Sequence, residues 1–172
     1  GNASGTGDFT IAAPNSNTDR TLTLPDEAGT LDTLQRAGNV LQVMTTSSIS
    51  SSSTVSTSYT ALSGATLTIT PSNTANKILV LWSSTSSNTL VAGANVNYRH
   101  GIFRGTTMLY STLIGVDSGS GGLQIKSPIM FSIVDAPSTT SAVTYNIQHH
   151  TSNASSTGTF GGGSLTLMEI AG

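Results

Sequence analysis

Short apolar runs alternate with polar, turn-forming segments along most of this chain. The run Ile78–Trp82 contains five consecutive apolar residues, after the turn cluster Pro71–Asn76 and before the polar segment Ser83–Asn88. This run is too short for a helix that is buried on every side, and its β-branched and aromatic residues favour a strand. We therefore predict that Ile78–Trp82 is a central strand of a β-sandwich, covered on both faces.

Other segments show the alternation that is typical of a strand with one buried face. Ala65–Thr70 alternates between apolar and polar residues, so Leu67 and Ile69 are expected to face the core. Val143–His149 alternates in the same way. Gly105-Thr106 lies between the segments Asn97–Arg104 and Thr107–Ser111 and predicts a hairpin.

Turn and breaker residues divide the remaining segments. Ser47–Ser58 is rich in hydroxyl side chains, and we predict a loop followed by an edge strand. Pro128 indicates a sheet edge or a bulge within Gln124–Val134. Gly161–Gly163 is expected to precede the last strand, Leu165–Ile170. About eight to ten strands, spaced by roughly 8–12 residues, predict an all-β fold with a jelly-roll-like β-sandwich.

Residues 1–37 differ from the head domain that we predict for residues 38–172. Phe9–Ala12 and Arg20–Leu24 have the pattern of short strands separated by turn signals, and Leu31–Ala37 is expected to be a short helical connector. Two such short strands cannot form a stable core by themselves. This β-rich neck must therefore find partners in the head domain or in other copies of the chain.

The composition favours an ordered β protein over a disordered one. Only 8% of the residues are charged, the net charge is −2, and Ser and Thr make up roughly a third of the chain. Disorder usually combines high net charge with few apolar residues, whereas 36% of these residues are hydrophobic. We expect an ordered sandwich whose surface carries many hydroxyl groups.

The small number of charges also limits the partners of this protein. Six Lys and Arg residues, scattered along the chain, cannot form the dense positive patch that nucleic-acid binding requires. Charged side chains normally protect strand edges from aggregation. A β protein with so few charges must cover its edges in another way, and assembly with identical copies is one such way.

Several further classes of protein are excluded or disfavoured. The chain contains no Cys, which excludes disulfides, thiol catalysis and Cys-ligated zinc. No apolar run approaches the ~20 residues that span a membrane, so membrane insertion is not expected. The chain begins at Gly1 without a signal-peptide pattern, as a fragment or a trimmed product would.

Two parts of the chain resemble proteins of a known kind. Phe9–Thr30 resembles a segment of tail-fibre proteins of tailed bacteriophages, where it precedes a C-terminal head domain. The remainder resembles the heads of such fibres in five segments: Val40–Val43, Leu67–Pro71, Lys77–Val80, Ser141–Tyr145 and Leu165–Ala171. The order of strands, with a Gly-rich run before the last one, is more distantly similar to trimeric C1q/TNF-like jelly rolls.

This resemblance implies a location and a set of partners. It implies an extracellular homotrimer in the tail fibre of a virion. The distal surface would contact a glycan or a protein of the host cell, and the neck would adjoin other tail-fibre or virion proteins.

Candidate catalytic groups are few. Ser118 lies in the loop Val116–Gly122, which superficially resembles the nucleophile loop of trypsin-like proteases, but no His or second Asp has a recognisable context. The chain lacks a phosphate-binding loop and a His-Glu-x-x-His motif, and its two Glu and six Asp offer few pairs for glycosidase chemistry. The sequence therefore predicts neither enzyme activity nor a cofactor.

The pair His149-His150 is the candidate for metal binding. Adjacent residues of a strand point to opposite faces, so the pair cannot chelate one ion within one chain. Three copies of either residue could meet on a threefold axis. The simpler interpretation is a solvated imidazole at the end of a strand.

Candidate receptor contacts cluster near the predicted hairpin. Tyr98, Arg99 and His100 combine an aromatic ring, a cation and an imidazole, and Tyr and Arg are favoured at binding hot spots. The alternative is that Tyr98 belongs to the core and Arg99 is simply solvated. Tyr110 and Asp117 are further candidates for a surface at the tip of the head.

Three functional hypotheses follow. The first is an adhesin, the distal head of a phage tail fibre, in which three copies present shallow sites whose multivalency gives avidity. The second is a structural subunit of a virion or filament, without a receptor, that donates an N-terminal strand to the next subunit. The third is a polysaccharide-cleaving enzyme, which would need a catalytic carboxylate such as Asp117.

Overall fold

The computed structural model of this protein describes residues 18–19, 36–89, 96–116 and 124–172. The last three ranges belong to one compact unit, Asp32–Gly172. The strands that we predict in residues 1–37, and the loop Asp117–Gly122, lie outside the described residues. Within these ranges, no helix has the length and apolar character needed to cross a bilayer.

Nine strands are present in the described ranges, and they form two sheets. Sheet A has the order β1-β9-β4-β7, with β2 also paired to β9, and sheet B has the order β3-β8-β5-β6. Every pairing between these strands is antiparallel. The strand bounds are β1 Val40–Ile49, β2 Ser52–Thr54, β3 Thr60–Ile69, β4 Lys77–Thr89, β5 Val96–Arg104, β6 Thr107–Val116, β7 Gln124–Asp135, β8 Val143–Thr151 and β9 Thr157–Ile170.

The order of the strands confirms the predicted fold class, an all-β, jelly-roll-like β-sandwich. Strands that are adjacent in a sheet are mostly distant in the sequence, and β5 and β6 form the only hairpin between sheet neighbours among the described strands. Gly105 occupies that turn with a positive φ of 58°. The predicted hairpin at Gly105-Thr106 is therefore confirmed.

The core lies between the inner faces of the two sheets. Strand β4 contributes Ile78, Val80 and Trp82, all of them buried, and the ring of Phe160 stacks on Trp82 with a centroid distance of 5.4 Å. Strand β8 alternates regularly between buried and half-buried residues, as its sequence predicts. The prediction that Ile69 and Leu67 face the core is also confirmed.

Strand β4 is central in its sheet, between β9 and β7, as the apolar run predicts. Its two faces differ, however. Ile78, Val80 and Trp82 point into the core, whereas Leu79 and Leu81 point to the outer face of sheet A, where they are only half-buried. We predict that both faces of this strand are covered by other parts of the protein. Within the described residues, only the inner face is covered.

Two predictions about irregular segments are corrected by the structure. Much of Ser47–Ser58 is extended, because β1 continues to Ile49 and β2 covers Ser52–Thr54; both pair with β9. Strand β9 begins at Thr157 and runs through Gly161–Gly163.

The glycines are needed because β4 and β9 approach closely at a bulge between Ser84 and Ser86. A Cβ atom at Gly163 would lie 2.3 Å from the carbonyl oxygen of Ser83, and one at Gly161 would lie 2.4 Å from Oγ1 of Thr85. Side chains at these positions would push the two strands apart. The glycine run is therefore part of the strand and does not end it.

Strand β7 lies at the edge of sheet A, and Pro128 is part of it. A proline is tolerated there because an edge strand has one side without ladder hydrogen bonds. The prediction of an edge position for Pro128 is confirmed. This edge is covered by no other strand of sheet A among the described residues.

A buried carboxylate joins the turn before β4 to the last strand. Glu169 of β9 is almost fully buried, and its Oε1 accepts hydrogen bonds from the Ser72 amide at 2.6 Å, the Ser72 hydroxyl at 2.9 Å and Nδ2 of Asn76 at 2.6 Å. Its Oε2 accepts one from Nε2 of Gln42 at 2.6 Å. Burial by itself would raise the pKa of Glu169, but these hydrogen bonds lower the pKa below its usual value.

We predict that Glu169→Gln lowers the free energy of unfolding by about 1–3 kcal/mol, because an amide cannot accept from all four donors and leaves buried groups unsatisfied. Gln42→Ala removes one of the four hydrogen bonds and should cost less. Urea denaturation monitored by Trp82 fluorescence measures both effects. An equal loss for the two variants would contradict this account of the carboxylate.

Candidate functional site

Strand alternation separates the residues that the sequence singles out as candidate sites. On β5, Tyr98 and His100 point into the core and are 0% exposed, whereas Arg99 between them is half-buried on the outer face. On β8, His149 points into the core and His150 points outward. Adjacent His149 and His150 thus face opposite ways, as the period of a strand requires.

The inward members of this set form a buried polar cluster. His100 and His149 are cross-strand partners, and their ring centroids are 6.1 Å apart. Nδ1 of His149 is hydrogen-bonded to the Tyr98 hydroxyl at 2.6 Å, and Trp82 Nε1 donates to Nδ1 of His100 at 3.3 Å. Nε2 of His100 is buried without a hydrogen-bond partner among the described residues.

Burial keeps both histidines neutral. Desolvation lowers the pKa of His100 to about 3, with a further contribution from His149. Desolvation, followed by the charge of His150, lowers the pKa of His149 to about 4. Desolvation likewise raises the pKa of Tyr98 far above its usual value. All three groups are therefore uncharged constituents of the core at neutral pH.

This cluster corrects two predictions. Tyr98 and His100 are enclosed between the sheets, so their side chains are not available to contact a receptor. His149 is enclosed as well, so copies of it cannot meet on a threefold axis. No group of three metal-ligating side chains was found in the part of the chain that the structure describes; a site formed by copies of His150 stays a prediction.

The outward members lie on the outer face of sheet B. Arg99 pairs across strands with His150 on one side and with Leu113 of β6 on the other. The ring of Tyr59, just before β3, meets that of His150 edge-on at 4.4 Å and that of Phe103 at 5.2 Å. We call these four neighbouring residues, Leu113, Arg99, His150 and Tyr59, the sheet B row.

The outer face of sheet A is different in character. The strand register aligns Val43, Met168, Leu79 and Val134 across all four main strands. Val43 is 55% exposed and Val134 is 59% exposed, and the other two are half-buried. We call these four residues the sheet A row.

Further apolar side chains extend the sheet A row along the same face. Leu81 and Ile170 lie next to it, and Met130 lies beyond Ser132 on β7. The only charged residue among the described side chains of this face is Lys77. The same face contains a shallow groove with a volume of about 560 Å³. It is lined by Ser83, Met130, Ser164 and the backbone of Gly162 and Gly163. A face of this kind is suited to protein contact.

The two remaining sequence candidates do not join either row. Tyr110 packs its ring on Phe131 at 5.5 Å, where the edge strands β6 and β7 approach each other, and part of its side chain is exposed. Asp117 lies outside the described residues, so its predicted role as a receptor contact or a catalytic carboxylate stays a prediction.

Sequence reasoning missed Tyr59 and the sheet A row. Tyr59 follows a hydroxyl-rich tract and carries no motif of its own, so no local signal could have found it. The sheet A row has a signal in the five consecutive apolar residues of β4, which predict a second covered face. The register that aligns β1, β9, β4 and β7 cannot be read from the sequence.

We predict that the protein loses stability as the pH falls from 7 to 5. The folded pKa values of His100 and His149 lie below the unfolded value of 6.5, so the unfolded state binds protons first and is favoured below pH 6.5. Together the two histidines lower the free energy of unfolding by on the order of 3 kcal/mol between pH 7 and pH 5. Asp and Glu side chains titrate below this range, so they contribute little to the loss.

Chemical denaturation at a series of pH values measures this loss. The double variant His100→Gln and His149→Gln should have a nearly flat profile between pH 7 and 5, whereas the matched variant His150→Gln, on the outer face, should keep the slope. A flat profile in the wild-type protein would refute the role of the two buried histidines.

Comparison with known proteins gives only distant likenesses. No protein-family model and no curated protein matches the chain. Among solved structures, the VP2 subviral particle of infectious bursal disease virus is similar with 16% identity and a TM-score of 0.41, over 76% of this chain and 33% of that one. The Gt strain of the same virus is similar with 14% identity and a TM-score of 0.44, over 90% of this chain and 38% of that one. The chain spans about a third of the length of these proteins, and likeness at this level does not establish function.

Proposed function

We propose that this protein is a non-enzymatic adhesin, the distal head of a phage tail fibre, which assembles as a homotrimer through the outer face of sheet A. The observation that carries this proposal is the sheet A row. Four apolar residues cross the whole sheet, and the central strand β4 has the uninterrupted apolar sequence of a strand that is buried on both faces. A second copy of the chain supplies the missing cover.

The size of this face suits an interface between subunits. The sheet is four strands wide, at ~4.8 Å per strand, and about eight residues long, at ~3.3 Å per residue. Its flat projected area is therefore roughly 500 Å². A standard interface buries roughly 800 Å² of each partner. The face is thus of the right order for an interface between subunits.

The chemistry of the face favours a copy of the same chain as its partner. Lys77 is the one charged group among its described side chains, so a partner selected by charge complementarity has little to recognise. Self-association pairs one apolar face with another apolar surface. It also explains how a chain with 8% charged residues avoids indiscriminate aggregation.

The number of copies and the location come from the resemblance of the sequence to fibre heads. Three copies would be held by their sheet A faces and by the neck in residues 1–37, and each would present the outer face of sheet B to the outside. The protein would act in the virion, outside the cell, with a host-cell glycan or protein as its partner. Repeated weak sites gain affinity from such an arrangement.

Adhesion without catalysis agrees with the state of the ionisable groups. In the described sandwich, the carboxylate of Asp135 forms an ion pair with Arg104 at 2.8 Å and accepts a hydrogen bond from the Tyr145 hydroxyl at 2.6 Å. The carboxylate of Glu169 accepts four hydrogen bonds. Two of the three histidines are locked in the core. These groups hold the fold together and are not poised for proton transfer.

A second candidate function is a structural filament subunit without a receptor. Among the described strands, β7 has one unpaired edge, which favours this function because such an edge can accept a strand from a neighbouring copy. A closed trimer has one fixed mass, whereas a filament subunit forms species whose size increases with concentration. Light scattering over a concentration series distinguishes the two.

We predict that the double variant Val43→Lys and Val134→Lys is a monomer under conditions in which the wild-type protein is a trimer. Enclosing an unpaired ammonium in an apolar interface costs several kcal/mol, whereas both positions are exposed in the single chain and should tolerate Lys. Sedimentation equilibrium measures the mass. The matched control, Met108→Lys and Leu113→Lys on sheet B, should remain a trimer; equal masses for both variants would contradict the assignment of the interface.

We also predict that the monomeric variant binds host cells about 100-fold more weakly than the wild-type trimer, because it loses multivalency and keeps each individual site. Flow cytometry with fluorescently labelled protein, on bacteria that the wild type binds, gives the apparent affinity. Undiminished binding by the monomer would show that avidity plays no part.

A further inference from the structure

We infer that the sheet B row holds a binding site for a carboxylate-bearing sugar, formed by Arg99, His150 and Tyr59. This inference rests on the proposed adhesion function and identifies its site and the class of its ligand. Both outer faces of the sandwich are then assigned, sheet A to assembly and sheet B to recognition.

Strand pairing places the three side chains next to one another. Arg99 and His150 are direct cross-strand partners on the outer face of sheet B. The Tyr59 ring contacts that of His150 at a centroid distance of 4.4 Å, with the planes inclined by 70°. The three residues thus form a continuous strip across β5, β8 and the start of β3.

Most of the polar atoms at the ends of these side chains have no partner among the described residues. Within the described ranges, the Arg99 guanidinium and the Tyr59 hydroxyl make no hydrogen bond or ion pair. His150 uses only Nδ1, at 3.3 Å from the carbonyl oxygen of Thr151, so Nε2 is free of partners in the same ranges. Five guanidinium N–H groups, one hydroxyl and one imidazole nitrogen are therefore available to a ligand.

The charge on this face selects an anion. Arg99 is half-buried, and no carboxylate faces it from the described parts of β3, β5, β6 or β8. The carboxylates of Asp135 and Glu169 are both used inside the sandwich. A guanidinium binds a carboxylate through two parallel hydrogen bonds, and no carboxylate among the described residues competes with the ligand for them.

The surroundings of Arg99 suit a sugar ring. Leu113 and the ring of Tyr59 flank Arg99 and His150 with apolar surface, on which the C–H face of a pyranose can pack. Gln148 and Asn146 follow on β8, with Nε2 of Gln148 donating to Oδ1 of Asn146 at 2.9 Å. Nδ2 of Asn146 in turn donates to the carbonyl oxygen of Gly105 at 2.9 Å, which leaves the Oε1 atom of Gln148 as an acceptor for a sugar hydroxyl.

The aromatic part of the strip is fixed before a ligand arrives. Tyr59 packs edge-on against Phe103 and lies over Gly101, where an added Cβ would approach its Cε1 to 3.3 Å and Cε2 of Phe103 to 2.8 Å. The glycine leaves room for the two rings on the surface of the sheet. A site that is already ordered loses little conformational entropy on binding.

The test uses the full chain in its assembled state and three named probes: glucuronate, galacturonate and N-acetylneuraminate, each compared with its uncharged methyl ester. Saturation-transfer NMR and calorimetry measure binding. We expect at least one acid to bind about tenfold or more tightly than its ester, since a charged hydrogen-bonded pair contributes roughly 1.5–3 kcal/mol.

Variants then locate the site. Arg99→Gln should weaken binding of the acid about tenfold or more and leave the ester unaffected, and Tyr59→Ala should weaken both. The matched control is Lys77→Gln, which removes the same charge from the outer face of sheet A and should change nothing. Binding of the acid that survives Arg99→Gln, or no preference of any acid over its ester, overturns the inference.

The failure of this site and the failure of the adhesin function give different results. If Arg99→Gln binds host cells as well as the wild type does, the adhesin function stands and its receptor site lies elsewhere. If protease treatment of the cells abolishes binding and the purified protein binds none of the three acids, the receptor is a protein and the sugar site is refuted. If the wild type binds the acid through Arg99 but binds no cells, the site stands and the adhesin function fails.

Discussion

The continuous apolar sequence of β4, which places apolar side chains on both faces of sheet A, is the constraint on which the rest of this structure depends. The core uses one side of β4, through Ile78, Val80 and Trp82, and leaves Leu79 and Leu81 on the other side. These two leucines continue into an apolar row that crosses the sheet from Val43 to Val134. A single copy of the sandwich satisfies only half of this pattern. In the assembly that we propose, the hydrophobic effect would drive the faces of several copies together.

The two faces of a single strand have different roles. Along β5, Tyr98 and His100 lie in the core, and Arg99 between them lies on the outer face of sheet B. Core packing and surface chemistry are thus supplied by adjacent residues. A change at Tyr98 or His100 acts on the stability of the fold, whereas a change at Arg99 acts on the surface alone. The buried histidines also make the sandwich sensitive to acid, because they must remain neutral to stay in the core.

Much of the fold could be predicted from the sequence, because period and turn chemistry are local properties. Ile78–Trp82, the alternation of β8 and the hairpin at Gly105 were all predictable in this way. The extent of β2 and β9 was not, because Ser52–Thr54 and Gly161–Gly163 take their conformation from pairing with distant strands. The candidate site was predicted only in part. Arg99 and His150 have suggestive side chains, but the pairing of Arg99 with His150 and the contact of Tyr59 with His150 join residues that are 51 and 91 positions apart in the sequence.

The oxidation of methionines by hydrogen peroxide in the native protein tests the central claim most directly. In the single chain, Met130 on the outer face of sheet A is 82% exposed and Met108 on sheet B is 51% exposed. If sheet A faces are covered by other copies, mass spectrometry will show Met130 and Met168 oxidised much more slowly than Met108. If Met130 is oxidised fastest, in the order of exposure of the isolated chain, the face is open to solvent and the account is contradicted.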